Sequence, residues 1–93
     1  MKKLDSVSNS DTLNIDSGPI VDQILNCISL SLSISIEQLT VLSSIGEFPE
    51  WDSLGHITLY FAIQETFGIK IPLENAGNIR SVADWARVVE AQL

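Results

Sequence analysis

Apolar residues recur at a helical period from the end of the first fifth of the chain. Val21, Ile24, Leu25, Ile28 and Leu32 stand at i, i+3, i+4, i+7 and i+11, one stripe along a helix. Pro19 marks its start, because the fixed φ of proline suits the first helical position. Cys27 borders the stripe and reads as a small core residue. The period then changes: Leu30, Leu32, Ile34 and Ile36 alternate with serine, so residues 29–36 taken alone could be a strand, although no partner strand follows. From Ile34 to Trp51 the pattern predicts a long connection, broken at Gly46 and Pro49, with Leu39, Val41, Leu42, Ile45 and Phe48 as anchors into the core. Connections this long are functional or disordered, and so many apolar anchors argue for an ordered one.

A second helix is predicted from Asp52 or Ser53 to Phe67, stopped by Gly68 as its C-terminal cap. Apolar side chains nearly encircle it. Leu59, Tyr60, Ile63 and Phe67 fall on one side, with His56 close by, and Leu54, Ile57 and Phe61 fall on the other. Such a helix is buried twice or offers one side to a partner. In so short a chain the Leu54, Ile57 and Phe61 side is expected to be exposed. Ile69, Ile71 and Pro72 lead into a short third helix, Leu73 to Ala76. The last helix opens on Ser81 and Asp84, spaced as a capping box, and continues with Val82, Trp85, Ala86, Val89 and Leu93 at helical spacing. The sum is an all-α fold: a small four-helix bundle, three main helices plus a short third one, with a long loop between helices 1 and 2. Residues 1–18 are rich in Ser, Asp and Asn, with Leu4, Val7, Leu13 and Ile15 scattered among them. Such a segment does not offset an ordering entropy of ~1–2 kcal/mol per residue, so a flexible tail is expected there and one domain over 19–93.

Composition removes several functions from consideration. Lys and Arg number 5 against 12 Asp and Glu, a formal charge of −7, which argues against nucleic-acid binding because phosphate contacts need a basic face. One cysteine and one histidine exclude an internal disulfide and any multi-cysteine or multi-histidine metal site, so no metal is expected. Lys2 and Lys3 are followed by Asp5, Ser6, Ser8 and Asn9 where an export signal needs an apolar run. No stretch approaches the ~18 apolar residues of a membrane-spanning helix. A cytoplasmic monomer without a membrane partner is the expectation.

The chemistry concentrates in Trp51-Asp52-Ser53-Leu54-Gly55-His56-Ile57. A hydrolase would pair Ser53 with a base, and His56 lies one helical turn away. The nucleophile elbow, however, needs glycine on both sides of the serine, and Trp51 occupies the first of those positions. No strand precedes, and His56 lies toward the core side of its helix. An enzyme is therefore not expected.

The stretch resembles the acyl carrier protein family. Asp52, Ser53 and Leu54 stand at the start of the second helix, where that family has Asp-Ser-Leu. The helix ends in Phe67 and Gly68; Ile71 and Pro72, the short third helix, Ile79, and Ser81-Val82 follow in the family's order. The resemblance spans roughly residues 20–90. It implies that Ser53 is esterified by 4′-phosphopantetheine, transferred from coenzyme A by a magnesium-dependent phosphopantetheinyl transferase. The pantetheine thiol, rather than Cys27, would carry acyl groups as thioesters between an acyl-loading enzyme and downstream acyl-transfer or synthase enzymes. Asp52, Leu54, Ile57, Thr58, Phe61 and Glu65 would then meet partners. Asp52 has two compatible tasks, capping the helix and meeting the transferase or its metal. Trp51 either packs the loop onto the bundle or contacts cargo. Glu47, Glu50 and Asp52 form an acidic run that is either a solvated loop or an attractant for basic partners.

The sequence departs from carriers of primary fatty-acid synthesis in one respect. After Ser53 the motif helix keeps only Glu65, with Thr58, Gln64 and Thr66 at positions often acidic in the family. Residues 1–52 carry a net −6 and residues 53–93 only −1. This favours a stand-alone carrier of a specialised, polyketide-like pathway over a housekeeping one. Peptidyl carriers usually have a Gly-Gly-His-Ser type of motif that is absent here. D-alanyl carriers share Asp-Ser but usually differ after the Ile-Pro region; a D-alanyl or aminoacyl carrier stays, with a housekeeping fatty-acid carrier, an alternative. An unmodified helical adaptor, with Ser53 as a mere helix-start residue, is the alternative from another class.

Overall fold

The computed structural model describes residues 18–93. The tail expected over 1–18 lies outside the described residues, save Gly18. Among the described residues four α-helices and one short 3-10 turn are present, with no strand beyond an isolated bridge. They are α1 (Gly18–Leu32), the 3-10 turn Ile36–Gln38, α2 (Ser53–Phe67), α3 (Leu73–Ala76) and α4 (Val82–Gln92). The all-α bundle with a long connection between its first two helices is thus as expected.

Helix α1 buries Ile24, Cys27, Ile28 and Leu32, while Val21 and Leu25 are half-buried at the edge of the stripe. The serine alternation after Ile28 does not make a strand. Ser33 takes a left-handed φ of 58°, and the Ile34 N–H donates to the Ser29 carbonyl at 3.2 Å, a closure that ends the helix. Leu32 therefore completes the helix, Ile34 turns back into the core, and Leu30 is left 83% exposed.

The long loop corrects part of the sequence reading. Leu39 is buried and Ile45 and Phe48 pack against the core, but Val41 and Leu42 are exposed, Leu42 by 78%. The cause lies in the backbone. Ile45 N–H donates to the Arg80 carbonyl at 2.9 Å, Val82 N–H to Ser43 O at 2.9 Å, and Ala83 N–H to Val41 O at 3.0 Å. These bonds stitch the loop to the start of α4. A tight turn at 40–43, closed by Thr40 N–H onto Ser43 Oγ at 2.9 Å, buries Ser43 and sends Val41 and Leu42 outward.

Helix α4 has the capping box read from Ser81 and Asp84, with both reciprocal bonds made. It buries Val82, Trp85, Ala86 and Val89. Leu93, expected at the end of that stripe, lies past the last turn and is 71% exposed. Helix α1 packs on both α2 and α4. Between α2 and α3 the chain is clamped by side chains: Tyr60 O–H donates to Ile71 O at 2.5 Å, and Ile71 N–H donates to Gln64 Oε1 at 2.7 Å. Both polar groups of one buried backbone unit are thus satisfied from α2.

Candidate functional site at the start of the second helix

The approach to α2 is fixed before the helix begins. Trp51 is fully buried, its backbone N–H donates to Phe48 O at 3.0 Å, and its carbonyl accepts from Gly46 N–H at 2.8 Å. The loop-packing role of Trp51 is the one realised. Asp52 follows in extended conformation as the N-cap, and its Oδ1 accepts from Gly55 N–H at 2.8 Å. Ser53 is then the first residue of α2 and is exposed, and the Asp52 cap before it is bonded to the Gly55 N–H two residues after it.

Gly55 explains how the first turn of α2 lies so close to the loop. A Cβ there would fall well inside contact distance of the Glu50 carbonyl oxygen and would crowd Leu32 Cδ2 at 3.3 Å. The close approach, rather than any special φ, requires glycine.

His56 is engaged at both ring nitrogens. Nδ1 accepts the indole N–H of Trp51 at 2.9 Å, and Nε2 lies 2.7 Å from the Ile79 carbonyl. A carbonyl only accepts, so Nε2 carries the proton and the ring is neutral. Burial pushes its pKa below 6.5; the bond to Ile79 opposes this and the Arg80 cation adds to it. The ring also lies against Trp51 (centroids 6.2 Å, 22°) and Trp85 (5.3 Å, 44°). With both nitrogens committed, His56 has none to activate Ser53 as a nucleophile.

The far side of α2 is open. Leu54 is 72% exposed, Ile57 54% and Phe61 64%, while Leu59 and Ile63 are fully buried on the opposite side. Thr58 and Glu65 are exposed on the same helix, Thr58 bonding back to Leu54 O at 3.2 Å. A cavity of about 180 Å³ with apolar walls lies between α2 and α3, lined by His56, Ile57, Tyr60, Phe61, Leu73 and Ala76. A larger cavity, about 280 Å³, lies between α1 and α4 and contains none of these residues. Among the described residues no group of three acidic, His or Cys side chains is placed to hold a metal. No helix of the described residues is long and apolar enough to cross a membrane.

The structure therefore sets Asp52, Ser53, Leu54, Ile57, Thr58, Phe61 and Glu65 on one exposed tract of α2 and its cap. Sequence reasoning missed the Trp51–His56–Ile79 chain of bonds and the Tyr60 and Gln64 clamp on Ile71. The one available signal was the i, i+4 spacing of Tyr60 and Gln64 just before the reversal at Gly68.

No protein-family model matches the chain. Individual proteins do. It is 31% identical over 65 residues to an acyl carrier protein of Thermosynechococcus vestitus, spanning 70% of this chain and 80% of that one. The acyl carrier protein of Syntrophobacter fumaroxidans is 35% identical over 65 residues (70% and 75%). That of Wolinella succinogenes is 34% identical over 71 residues, 76% of this chain and 93% of the relative. Identity at this level across most of each relative, on a four-helix frame, means that the chain belongs to the acyl carrier protein family and is a carrier rather than a catalyst.

Proposed function

We propose that Ser53 bears the 4′-phosphopantetheine arm on which carriers of this family hold their acyl groups, within a domain spanning 19–93. The observation that carries this reading is the placement of Ser53. It is exposed at the first position of α2, between a bonded cap and a glycine packed against the loop. The residues fit the group. The free N–H groups of a helix start favour a phosphodiester anion by ~0.3–1 kcal/mol, and only Gly55 N–H is taken by the Asp52 cap. Ser53 Oγ would attack the pantetheine-side phosphorus of coenzyme A, losing its proton to a base on the transferase since His56 is committed elsewhere, while the phosphoanhydride bond breaks and adenosine 3′,5′-bisphosphate leaves. The arm, when attached, supplies a thiol for thioester formation; Cys27 is buried and unsuited to that task.

The partners in this reading are a phosphopantetheinyl transferase, an acyl-loading enzyme and downstream acyl-transfer or synthase enzymes. They would dock on Leu54, Ile57 and Phe61, with Asp52, Thr58 and Glu65 at the rim. The sparse acidity of α2 supports a specialised biosynthetic pathway rather than housekeeping fatty-acid synthesis. The lone buried thiol suits work in the cytoplasm. Intact mass after incubation with coenzyme A and a broad-specificity transferase tests the reading. Wild type should gain one phosphopantetheine and Ser53→Ala none, with helicity unchanged. A wild-type chain that never gains mass would leave the adaptor reading in its place.

A further inference from the structure

We propose that His56 is a positioning residue for modification at Ser53: neutral, it holds the serine's turn in register with the loop before α4, and protonated it loosens that register. The inference rests on the reading of Ser53 given above.

His56 joins three segments that meet around the serine. It belongs to the first turn of α2, one turn from Ser53. Its Nδ1 takes the N–H of Trp51, two residues before Ser53, and its Nε2 donates to Ile79 in the loop before α4. Trp51 is fully buried, so its N–H has no water to turn to when the acceptor is lost. A proton on Nδ1 would set two N–H donors face to face. The groups packed around the ring do not relieve that conflict: toward the cavity shared with α3 the neighbours are Leu73, Ala76 and Tyr60, whose hydroxyl is already committed to the Ile71 carbonyl. The loop before α2 contributes the indole of Trp51 and α4 that of Trp85, and indoles offer donors only. The loop before α4 contributes the cation of Arg80, which disfavours a second positive charge. In this proposal the displacement passes to Trp51, which has no room of its own, and through the backbone to Asp52 and Ser53. The larger the fraction of His56 protonated, the worse the serine's turn fits a transferase that reads it.

The test compares wild type, His56→Gln and His56→Ala as substrates of a phosphopantetheinyl transferase with coenzyme A, between about pH 5 and pH 8. KM and kcat for the carrier are read separately. Glutamine offers one acceptor and one donor and stays neutral throughout. The wild-type to His56→Gln ratio of kcat/KM, which cancels the transferase's own pH dependence, should be flat above pH ~7, about halve at the pH where His56 titrates and fall further below it. His56→Ala should be about tenfold slower at neutral pH, the scale of one lost hydrogen bond. In wild type the Trp51 indole N–H resonance should move with the same midpoint, below 6.5, and in His56→Gln it should not. A constant ratio, or an indole resonance that does not titrate, overturns the proposal. Should His56→Ala unfold, the wild-type and His56→Gln comparison still decides. If both accept the arm at a constant ratio, the role of His56 alone fails; if neither accepts it, the reading of Ser53 has failed.

Discussion

At the scale of single residues, packing holds Gly55 to its identity more tightly than it holds Ser53, the exposed serine two residues before it. Alanine is favoured over glycine inside a helix by ~1 kcal/mol, so propensity alone would make Gly55→Ala stabilising. Packing opposes this. The added Cβ would meet the Glu50 carbonyl, a backbone atom in a segment fixed by the Gly46–Trp51 and Phe48–Trp51 bonds, and would press on Leu32. Overpacking of this kind costs ~1–3 kcal/mol. We expect a net loss of ~1 kcal/mol or more, read by urea denaturation, with the midpoint lowered and the slope unchanged. An unchanged or raised midpoint would mean that the Glu50 segment yields. The sequence shows Gly55 two residues after Ser53 but no reason for it, because the clash involves the path of the loop. His56 was legible as core-facing from its position on the helix wheel. Its two hydrogen-bond partners, five and twenty-three residues away, were not.

At the scale of elements, the helices were written into the sequence and the loop was not. Helix α2 runs from Ser53 to Phe67, as its cap residue and Gly68 indicate, and α3 and α4 begin where proline and the capping box place them. Those signals are local. Val41 and Leu42 are hydrophobic enough for a core, yet they are exposed, because long-range backbone bonds from residues 82 and 83 decide which way the loop faces. The open side of α2 was legible, since a helix apolar all round in a short chain has too little partner surface. That side yields a prediction about recognition. Phe61 is 64% exposed, so truncating it should cost the fold little. Burying an aromatic side chain against a partner is worth ~1.5–3 kcal/mol. One exposed charge pair made by Glu65 would be worth only ~0–1 kcal/mol. Phe61→Ala should therefore slow acyl transfer to the cognate partner by roughly tenfold or more, and Glu65→Ala by a few-fold at most. The rates of transfer from the loaded carrier, with circular dichroism to check the fold, decide it. A larger loss from Glu65→Ala would make recognition electrostatic.

At the scale of the whole molecule, two opposing charge effects govern stability against pH. The chain carries a net −7, and acidification toward its isoelectric point near 4.3 relieves self-repulsion. Specific groups work the other way. The folded state holds His56 below its ordinary value of 6.5, chiefly by burial, so its contribution to stability is complete above 6.5 and is lost as the pH falls through that value toward the folded pKa. Burial raises the Asp84 pKa, but the N–H groups of Arg80 and Ser81 and the Arg87 cation outweigh it and hold the carboxyl below 3.8. Its contribution is thus present above 3.8 and is lost only below it. Salt separates these effects. In about 1 M sodium chloride the screening length is ~3 Å, which removes most long-range repulsion and touches the partly buried His56 contacts far less. Under those conditions the melting temperature should fall between pH ~7 and ~5 in wild type, stay level in His56→Gln, and fall in both below pH ~4. At low salt the relief of repulsion should shrink or reverse the first decline. Parallel curves for the two chains at high salt would mean that the pH response belongs to the overall charge and not to the histidine between the two tryptophans.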